Sequence, residues 1–300
     1  MPSQDGRVAV VTGANSGLGL VVSRELARAG ARVVMACRDL SKGERAAEQI
    51  RAAVAEADLR VERLDLADLA SVREFAERFA GRLDLLVNNA GVMAPPRRLT
   101  RDGFESQFGT NHLGHFALTG RLLPRLLEAD QPRVVTQSSG AHRFGWMRFD
   151  DLQGERRYVR WLAYGQSKLA NLMFAFELQR RSEEAGSALR SLAAHPGYAA
   201  TNLQFAGPPP YEQALMAVGN RLFAQSAEMG ALPTLYAATV PDLPGGTFVG
   251  PDGPLEQRGH PKVVRAARRA YDRQAWRRLW EISEQLTGVR YEFSATAAAA

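Results

Sequence analysis

Short apolar runs alternate with longer amphipathic stretches along most of the chain. The runs are rich in β-branched residues, as buried strands are, and they predict strands at 7–13, 31–37, 59–64, 83–87, 133–137, 189–194 and 247–249. The stretches between them predict helices at 17–30, 41–57, 68–80, 111–127 and 161–181. Strands joined through helices give right-handed crossovers and a parallel sheet. We therefore predict an α/β fold, a doubly wound parallel sheet (Rossmann fold) of about seven strands with helices on both faces.

The alternation continues without a linker, so we expect a single domain over residues 1–300. Its core spans about 7–250, and a helical extension is expected at 251–293. The alanine-rich end, 294–300, is expected to be a disordered tail. Within the core, Ser41 is the expected N-cap of the second helix because its hydroxyl can accept a free backbone N–H.

Two segments interrupt the alternation, 140–160 after the fifth strand and 203–225 after the sixth. Both follow the carboxyl ends of strands, where open α/β sheets bind ligands. We expect them to form the walls of an apolar pocket for a bulky ligand. The alternative is that their side chains pin the loops to the body or form a dimer contact. Both segments are rich in aromatic and methionine residues: Phe144, Trp146, Met147, Phe149, Phe205, Tyr211, Met216 and Phe223.

Composition narrows the class of protein. The chain is 45% hydrophobic and 23% charged, which supplies a sizeable core. No apolar run approaches the roughly 18 residues of a membrane span, and no basic-then-apolar signal precedes the first strand. The single cysteine, Cys37, cannot form an internal disulfide or ligate a metal by itself. We expect a cytoplasmic protein with no transmembrane segment.

The net charge of +6 raises the question of an anionic partner. Much of the excess lies in 256–292, where basic residues recur at helical spacing with Trp276 and Trp280 between them. This pattern favours an amphipathic helix that docks through its tryptophans and exposes a solvated basic face. A nucleic-acid-binding face is the alternative, and we predict no nucleic-acid partner.

A glycine-rich turn, residues 12–19, connects the first strand to the first helix. Glycines at this point permit a tight turn and a close approach of the backbone to a pyrophosphate, which the N–H groups of the helix N-terminus then bind. A turn needed only to reverse the chain is the alternative. The candidate cofactor-binding residues here are Gly13, Asn15, Ser16, Gly17, Leu18 and Gly19.

The end of the second strand indicates which dinucleotide is used. An NAD enzyme usually presents a carboxylate there to the ribose 2′-hydroxyl, whereas this chain has Arg38. A guanidinium can make a forked contact with the 2′-phosphate of NADP. Asp39 is contrary evidence; we expect it to open the turn before the next helix, and a surface pair of Arg38 with Asp39 is the alternative. The expected cofactor is NADP, with NADPH preferred over NADH.

Tyr164 and Lys168 lie four residues apart on a predicted helix, so both side chains share one face. A phenol with a pKa near ~10 is a poor base at neutral pH, and a neighbouring cation favours its phenolate form. Proton transfer to or from a carbinol oxygen then becomes feasible. Chance produces this spacing often, so the pair needs support from other motifs.

That support comes from motifs after the later strands, which together make the sequence resemble the short-chain dehydrogenase/reductase family over about residues 8–249. The motifs are Asn-Asn-Ala-Gly at 88–91, Asn111 in a helix, Ser138-Ser139, the Tyr164–Lys168 pair and Pro196-Gly197. The resemblance implies that Tyr164 is the catalytic acid/base and that Ser139 hydrogen-bonds the substrate oxygen. It implies that Lys168 lowers the tyrosine pKa and holds the nicotinamide ribose, and that Asn111 anchors a water of a proton relay.

The resemblance also assigns the supporting residues. Ser139 is preferred to Ser138 because the family's serine is the second of such a pair; a merely polar strand end is the alternative. Asn88 resembles a residue that braces the sheet beside the cofactor. Further cofactor contacts are implied for residues after the third, fourth and sixth strands: Asp65 at the adenine, Leu66, Asn89, Ala90, Gly91, Pro196, Gly197 and Thr201.

Within the family, the sequence is similar to the retinol dehydrogenase-like group, which includes the protochlorophyllide reductases and the WW-domain oxidoreductases. Ser139 and Tyr164 are 25 residues apart, about twice the usual family spacing. The similarity also covers Ala-Cys-Arg-Asp at 36–39, Asn-His-Leu-Gly-His-Phe at 111–116 and His-Pro-Gly at 195–197. Fold and chemistry transfer through this similarity, whereas the named substrate does not.

The expected function is that of an NADP-dependent oxidoreductase that interconverts an alcohol and a ketone or aldehyde, on a bulky lipophilic small molecule. The alternative is a non-catalytic NADP(H)-binding protein with a redox-sensing or regulatory role, although such sensors tend to lose the tyrosine or the lysine. A homodimer is one option for the assembly. No metal is expected, because His112 and His115 have no third ligand cluster near them in the sequence and are better explained by helix packing.

Overall fold

The strands of the protein lie in one sheet. The computed structural model describes residues 1–198 and 225–293. The strands in these ranges are β1 (Val8–Thr12), β2 (Arg32–Cys37), β3 (Leu59–Arg63), β4 (Leu85–Asn88), β5 (Arg133–Gln137), β6 (Arg190–Ala194), β7 (Phe248–Pro251) and β8 (Pro261–Val263). Their order is β3-β2-β1-β4-β5-β6-β7-β8. The first seven strands pair in parallel and β8 pairs antiparallel with β7.

Helices cover both faces of this sheet. They are α1 (Gly17–Arg28), α2 (Leu40–Ala53), α3 (Leu69–Arg78), α4 (Ser106–Phe108), α5 (Gly114–Leu127), α6 (Arg160–Glu184), α7 (Ala227–Thr239) and α8 (Arg273–Thr287). A π turn at Gly109–Leu113 joins α4 to α5. Short 3₁₀ turns lie at Gly140–Arg143, Pro254–Glu256 and Arg268–Tyr271. None of the helices in the described ranges is long and apolar enough to cross a membrane.

Successive residues of each central strand enter different cores. On β1, Val11 packs with α1, α2 and α7, while Val10 packs with α3, α5 and α6 on the opposite face. Both side chains are fully buried. Strands covered on two faces read as continuous apolar runs, which is why the sequence pattern locates them. The doubly wound parallel arrangement is confirmed.

The sheet has eight strands in its described part, one more than the sequence predicts. The added strand, β8, lies in a stretch that the basic pattern assigns to a helical extension. Its residues are largely exposed, so they carry no alternation of buried and exposed positions. Pro261 begins the strand at the edge of the sheet, where its missing N–H costs no pairing. Within 251–293 the longer helix is confined to α8.

Two further local predictions are wrong. The second helix starts at Leu40 and its N-cap is Asp39, whose carboxylate accepts the Lys42 N–H at 3.1 Å; Ser41 lies inside the helix. The sequence pattern also gave no helix at α7. That helix is buried along most of its length and contains Pro233, so it shows neither an amphipathic stripe nor an unbroken helical signal.

The C-terminal helix docks as predicted. Trp276 and Trp280 of α8 are both buried. The Trp280 ring stacks on Phe174 of α6 with a centroid separation of 5.9 Å, and the Arg181 guanidinium lies 4.4 Å from its ring. Apolar stacking and a cation–π contact thus fix α8 against α6.

The parallel strands bring their carboxyl ends to the same edge of the sheet. Thr12, Cys37, Asn88, Gln137 and Ala194 are the last residues of β1, β2, β4, β5 and β6. The loops that follow them therefore converge at this edge. Three predictions concern residues outside the described ranges and stay predictions: Thr201, the segment 203–225 except its last residue, and the tail 294–300.

Candidate active site

A cleft of about 820 Å³ opens at the carboxyl edge of the sheet. Every loop that follows a strand between β1 and β6 contributes to its lining. The predicted site residues that line it are Gly13, Asn15, Ser16, Gly17, Leu18, Arg38, Asp65, Leu66, Asn89, Ala90, Gly91, Ser139, Tyr164, Lys168, Pro196 and Gly197. Gly19 and Asn111 do not line the cleft. They contact residues that do, Gly13 and Val92 respectively.

The turn after β1 has the backbone shape that its glycines predict. Gly13 and Gly17 have φ values of 65° and 54°, in the left-handed region that favours glycine. A Cβ on Gly19 would lie 2.4 Å from the Gly13 carbonyl oxygen, so this glycine allows α1 to approach the turn. The Ser16 side chain makes no capping bond to α1 and no acidic residue lies in its first turn. The first N–H groups of α1 therefore remain available to an anion.

Two basic residues line the cleft beyond the end of β2. Arg38 is exposed and has no hydrogen bond or ion pair to any other residue that the structure describes. Asp39 is occupied as the N-cap of α2, as expected, and its carboxylate lies 3.8 Å from the Lys42 ammonium. An Arg38–Asp39 surface pair is therefore absent from the described contacts. Sequence reasoning missed Lys42, although its position four residues after Arg38 was a signal that it shares the site.

Tyr164 and Ser139 meet inside the cleft. Tyr164 is buried near the start of α6, and Ser139 lies close enough to its hydroxyl to act on the pKa of the phenol. The Ser139 oxygen also accepts the Ala141 N–H at 3.2 Å, which caps the 3₁₀ turn after β5. Ser138 is turned away from the phenol and donates to the Lys168 carbonyl at 2.9 Å. The two serines thus have different surroundings, and Ser139 is the one that faces the phenol.

Lys168 lies one helical turn after the tyrosine and is almost fully buried. Its Nζ is 5.8 Å from the centroid of the Tyr164 ring and donates to the Gln137 carbonyl at 3.3 Å. A Cβ on Gly91 would lie 3.4 Å from this Nζ. The lysine therefore sits between the catalytic helix and the loops after β4 and β5.

Burial sets the protonation of the pair. It raises the pKa of Tyr164 to about 12, against the opposing effect of the Ser139 hydrogen bond. It lowers the pKa of Lys168 to about 8. The sequence predicts a lowered tyrosine pKa; the direction is opposite in this structure because removing the phenolate from water outweighs the favourable contacts. At neutral pH the phenol is protonated and the amine is charged.

Asn111 supports the cleft rather than lining it. Its Nδ2 donates to the Val92 carbonyl and to Ser167 Oγ, each at 2.9 Å, and its Oδ1 accepts the Val92 N–H at 2.7 Å. The residue lies in the π turn before α5, and such turns are frequent at functional sites. Its side chain thus ties the loop after β4 to α6. The role of Asn111 in anchoring a water stays a prediction.

The loop after β4 is held to the end of β1. Thr12 Oγ1 accepts the N–H groups of Asn89 and Ala90, both at 2.9 Å, and the Asn89 side chain donates to the Thr12 carbonyl at 2.8 Å. The buried Asn88 side chain donates to Thr119 Oγ1 at 3.0 Å. Two neighbouring strand ends are therefore fixed to each other and to α5.

The segment 140–160 divides between the two alternatives that the sequence left open. Met147 and Phe149 pack against the core cluster around α6 and so pin the loop. Phe144 instead lines the cleft and is also part of the wall of a second cavity of about 450 Å³. Trp146 and Leu162 line that cavity as well and are more than a third exposed. The Phe144 ring is thus part of the wall of both cavities, and the wall of the second one also includes charged side chains such as Arg148 and Asp151.

The buried histidines of the π turn and α5 are packed, as predicted. Burial lowers the pKa of His112 to about 3 and that of His115 to about 4. His112 Nε2 lies 2.8 Å from Ser283 Oγ of α8. No group of three or more histidine, cysteine, aspartate or glutamate side chains that could hold a metal occurs within residues 1–198 and 225–293.

Comparison with known proteins identifies the family. A model of the short chain dehydrogenase family matches residues 7–207. The chain belongs to this family. Mouse retinol dehydrogenase 12 is 43% identical over 295 residues, which cover 96% of this chain and 88% of that protein. Human retinol dehydrogenase 13 is 40% identical over 95% of this chain and 85% of its own length. The predicted resemblance to the retinol dehydrogenase-like group of this dehydrogenase family is confirmed.

Solved structures agree with this placement. A crystal structure of an uncharacterised protein from Mycobacterium paratuberculosis is 50% identical, with a TM-score of 0.82 and 97% coverage of both chains. RhlG from Pseudomonas aeruginosa in complex with NADP is 26% identical, with a TM-score of 0.65 over 85% of this dehydrogenase and 98% of that chain. The protein is an NAD(P)-dependent oxidoreductase that interconverts alcohols and carbonyl compounds. This finding favours the enzyme over the redox-sensing alternative.

The charge of Lys168 predicts the pH dependence of this dehydrogenase. The ammonium is present below its pKa of about 8 and is lost above it. Above that pH the site therefore loses the cation that is expected to stabilise a phenolate on Tyr164. We expect kcat/KM for carbonyl reduction to be level from about pH 6 to 7.5 and to fall as the pH rises through about 8. Lys168→Arg keeps its charge at these pH values, so its profile should stay level. A fall with the same midpoint in the arginine variant would assign the titration to another group.

Proposed function

We propose that this dehydrogenase is specific for NADP and acts on a bulky, lipophilic alcohol or carbonyl compound, with Tyr164 as the acid/base. The observation that carries the proposal is the meeting of the Tyr164 and Ser139 hydroxyls and the Lys168 ammonium in one cleft. Bound in that cleft, the nicotinamide supplies or accepts the hydride, and the chain supplies binding, orientation and the proton.

The residues of the cleft fit a dinucleotide. The uncapped N-terminus of α1 offers N–H groups to the pyrophosphate. A Cβ on Gly13 would lie only 3.0 Å from the Ala90 side chain, so the glycine keeps the bottom of the cleft open. In this proposal Asp65 and Leu66 border the adenine, and the remaining contacts come from the turn at 13–19 and the loops at 89–91 and 196–197.

Each catalytic residue acts on one atom. In reduction, the protonated Tyr164 hydroxyl donates its proton to the substrate oxygen and is left as a phenolate. Ser139 donates a hydrogen bond to the same oxygen and so orients the carbonyl. The Lys168 ammonium stabilises the negative charge on the tyrosine. In oxidation the proton moves the opposite way, and Tyr164 has to be deprotonated first.

Substitution of the tyrosine tests this assignment. Tyr164→Phe removes only the hydroxyl, so the ring still fills its buried place. We expect turnover to fall about 10²–10⁴-fold while cofactor binding, measured by quenching of protein fluorescence, stays within about twofold. Tyr236→Phe, which removes the hydroxyl of a half-buried tyrosine on α7 outside the cleft, is the matched control and should retain turnover. A folded Tyr164→Phe protein with near-wild-type turnover would end the assignment.

The preference for NADP rests on the basic pair at the end of β2. Arg38 lines the cleft, is exposed and has no partner among the described residues, so its guanidinium is free to bind a 2′-phosphate. Lys42, in the first turn of α2, adds a second positive charge to the lining of the cleft. No carboxylate of the described structure takes the place that a ribose 2′-hydroxyl would require, since Asp39 caps α2.

Arg38→Ala is therefore expected to weaken NADPH much more than NADH. A charge-assisted hydrogen bond is worth about 1.5–3 kcal/mol, which corresponds to a loss of about ten- to a hundredfold. Dissociation constants of both cofactors measure the effect. Arg32→Ala is the matched control, because Arg32 begins β2, the strand that ends just before Arg38, and pairs with Asp58 at 2.7 Å. Equal weakening of both cofactors, or a wild-type preference for NADH, contradicts the proposal.

A lipophilic substrate is supported by the aromatic ring of Phe144, which lies in the wall of the cleft. The aromatic ring is shared between the cleft and the 450 Å³ cavity, and large apolar ligands bind in pockets lined in this way. The relatives named retinol dehydrogenases carry a name that points to an apolar substrate. The loop at 140–160 then supplies one wall of the substrate site.

A homologous series of straight-chain aldehydes tests the substrate class. We expect kcat/KM to rise with chain length, because each additional buried methylene contributes about 0.8 kcal/mol. Phe144→Ala should flatten that rise, whereas Phe149→Leu, in the pinned part of the loop, should leave it unchanged. A flat series in the wild type, or small polar sugars as the best substrates, would refute the apolar pocket.

We propose that the whole chain forms one domain and works in the cytoplasm. The single-domain proposal is supported by β8, which extends the sheet, and by α8, which packs on α6. A homodimer through the face of α6 is not supported, because its residues from Tyr164 to Leu178 are all buried within the single chain. A small-molecule substrate requires no further partner.

A further inference from the structure

His115 is a buried histidine whose two ring nitrogens both contact residues of the active-site framework. It is 1% exposed and lies one helical turn after Asn111. Its Nδ1 is 2.9 Å from the Asn111 carbonyl oxygen, and its Nε2 is 2.9 Å from Thr12 Oγ1. The ring thus bridges the π turn before α5 and the end of β1. Thr12 and His115 are 103 positions apart in the sequence.

The partners determine which nitrogen carries the proton. A carbonyl oxygen only accepts hydrogen bonds, so Nδ1 must be the protonated nitrogen that donates to Asn111. Thr12 Oγ1 already accepts two N–H groups, from Asn89 and Ala90, so it has only its own proton left to donate. The threonine hydroxyl therefore donates to Nε2, at 2.9 Å, in preference to the Val87 carbonyl at 3.3 Å. Each hydrogen bond in this set then has one donor and one acceptor, and the Asn89 N–H is shared between Thr12 Oγ1 and the Val87 carbonyl, which lies at 3.0 Å.

The surroundings keep the ring neutral, as this arrangement requires. Burial lowers the pKa of His115 to about 4; the hydrogen bond to Asn111 acts against it, and the charge of Lys168 acts with it. A second proton on Nε2 would point at the Thr12 oxygen, whose lone pairs are both occupied. The neutral ring with its proton on Nδ1 is thus the form that fits.

Both ends of the bridge lead to the loop after β4, and the Asn111 end also leads to α6. Through Thr12 it reaches Asn89 and Ala90, which line the cleft. Through Asn111 it reaches Val92 and Ser167, the residue immediately before Lys168. The His115 ring therefore helps to hold the loop after β4 against α6, the helix that carries Tyr164 and Lys168.

We propose that His115 is a positioning residue for the reaction: its Nδ1–H fixes the Asn111 carbonyl, and its Nε2 fixes Thr12 and with it the cofactor loop after β4. The inference rests on the proposed function, in which Asn111 supports proton transfer and Asn89 and Ala90 border the cofactor. It predicts that the hydrogen bond to Asn111 affects kcat and that the hydrogen bond to Thr12 affects the affinity for NADPH.

Two conservative substitutions separate the bonds. The amide of His115→Asn reaches the position of Nδ1 and can donate to the Asn111 carbonyl, but it cannot reach Thr12. The longer amide of His115→Gln reaches the position of Nε2 and can accept from Thr12, but it leaves the Asn111 carbonyl without its donor. His112→Asn and His112→Gln are the matched controls, since His112 is a buried histidine one turn earlier whose partner is Ser283 of α8.

The expected results are reciprocal. His115→Asn should keep kcat within twofold of wild type and weaken NADPH binding about two- to tenfold, the value of one hydrogen bond. His115→Gln should keep NADPH binding within twofold and lower kcat about two- to tenfold, with KM for the carbonyl substrate unchanged. The His112 variants should lower the melting temperature alone. If both His115 variants only lower the melting temperature, or lose kcat and NADPH affinity to the same extent, the positioning role is wrong.

A measurement on the wild-type protein keeps the test valid if a variant fails to fold. Nitrogen NMR of ¹⁵N-histidine-labelled enzyme should show His115 neutral, with its proton on Nδ1, from pH 5.5 to 8; the five histidines of the chain are assigned by single substitution. A proton on Nε2 in this range overturns the proposal. Failure of the proposed function is distinguishable, because it appears as an active Tyr164→Phe enzyme and leaves the NMR result and the NADPH affinities unaffected.

Discussion

The parallel pairing of the central strands is the constraint on which the site depends. Thr12 pairs with Ala36 of β2, Asn88 with Thr136 of β5, and Gln137 with Ala194 of β6. Neighbouring strands lie about 4.8 Å apart, so residues separated by more than a hundred positions in sequence are brought to one edge of one sheet. The hydrogen bonds of Thr12 to the loop after β4 and of Lys168 to the end of β5 are possible only because those strand ends are aligned.

The second constraint is that the ionisable side chains of α6 in the cleft, Tyr164 and Lys168, are buried inside the protein. Burial disfavours the charged form of each group, so it raises the tyrosine pKa and lowers the lysine pKa. Most of the remaining polar groups of this helix are paired, because an unpaired buried donor or acceptor costs about 1–3 kcal/mol. The Asn171 Oδ1 is an exception and has no hydrogen-bond partner among the described residues. Ser138 accordingly donates to the Lys168 carbonyl, and Asn171 donates to the Gln137 carbonyl. These contacts also fix the direction of the face of α6 that carries Tyr164 and Lys168.

Sequence pattern was sufficient where one physical signal dominated. The strands buried on both faces are apolar throughout, and the glycines of the first turn are required by left-handed φ values, so both were predictable. The edge strand β8 and the buried helix α7 lack a periodic signal, so neither was predictable from the sequence pattern. The pKa of Tyr164 depends on how deeply the phenol is buried, which spacing does not reveal. His115 looked like packing alone because its partner Thr12 is distant in the sequence and is identified only when the sheet is formed.

The docking of α8 has a consequence for how the chain is made. The Tyr291 hydroxyl donates to the Phe116 carbonyl at 2.6 Å across 175 positions, and Trp280 covers Phe174. Until these last residues are synthesised, the apolar side of α5 and α6 has nothing packed on it. At about 5–20 residues per second, translation from the end of α6 to Tyr291 takes on the order of 5–20 seconds. During that interval the rings of Phe116 and Phe174 lack the cover that Trp280 gives them, so α6, which holds Tyr164, completes its native packing only after α8 has been synthesised.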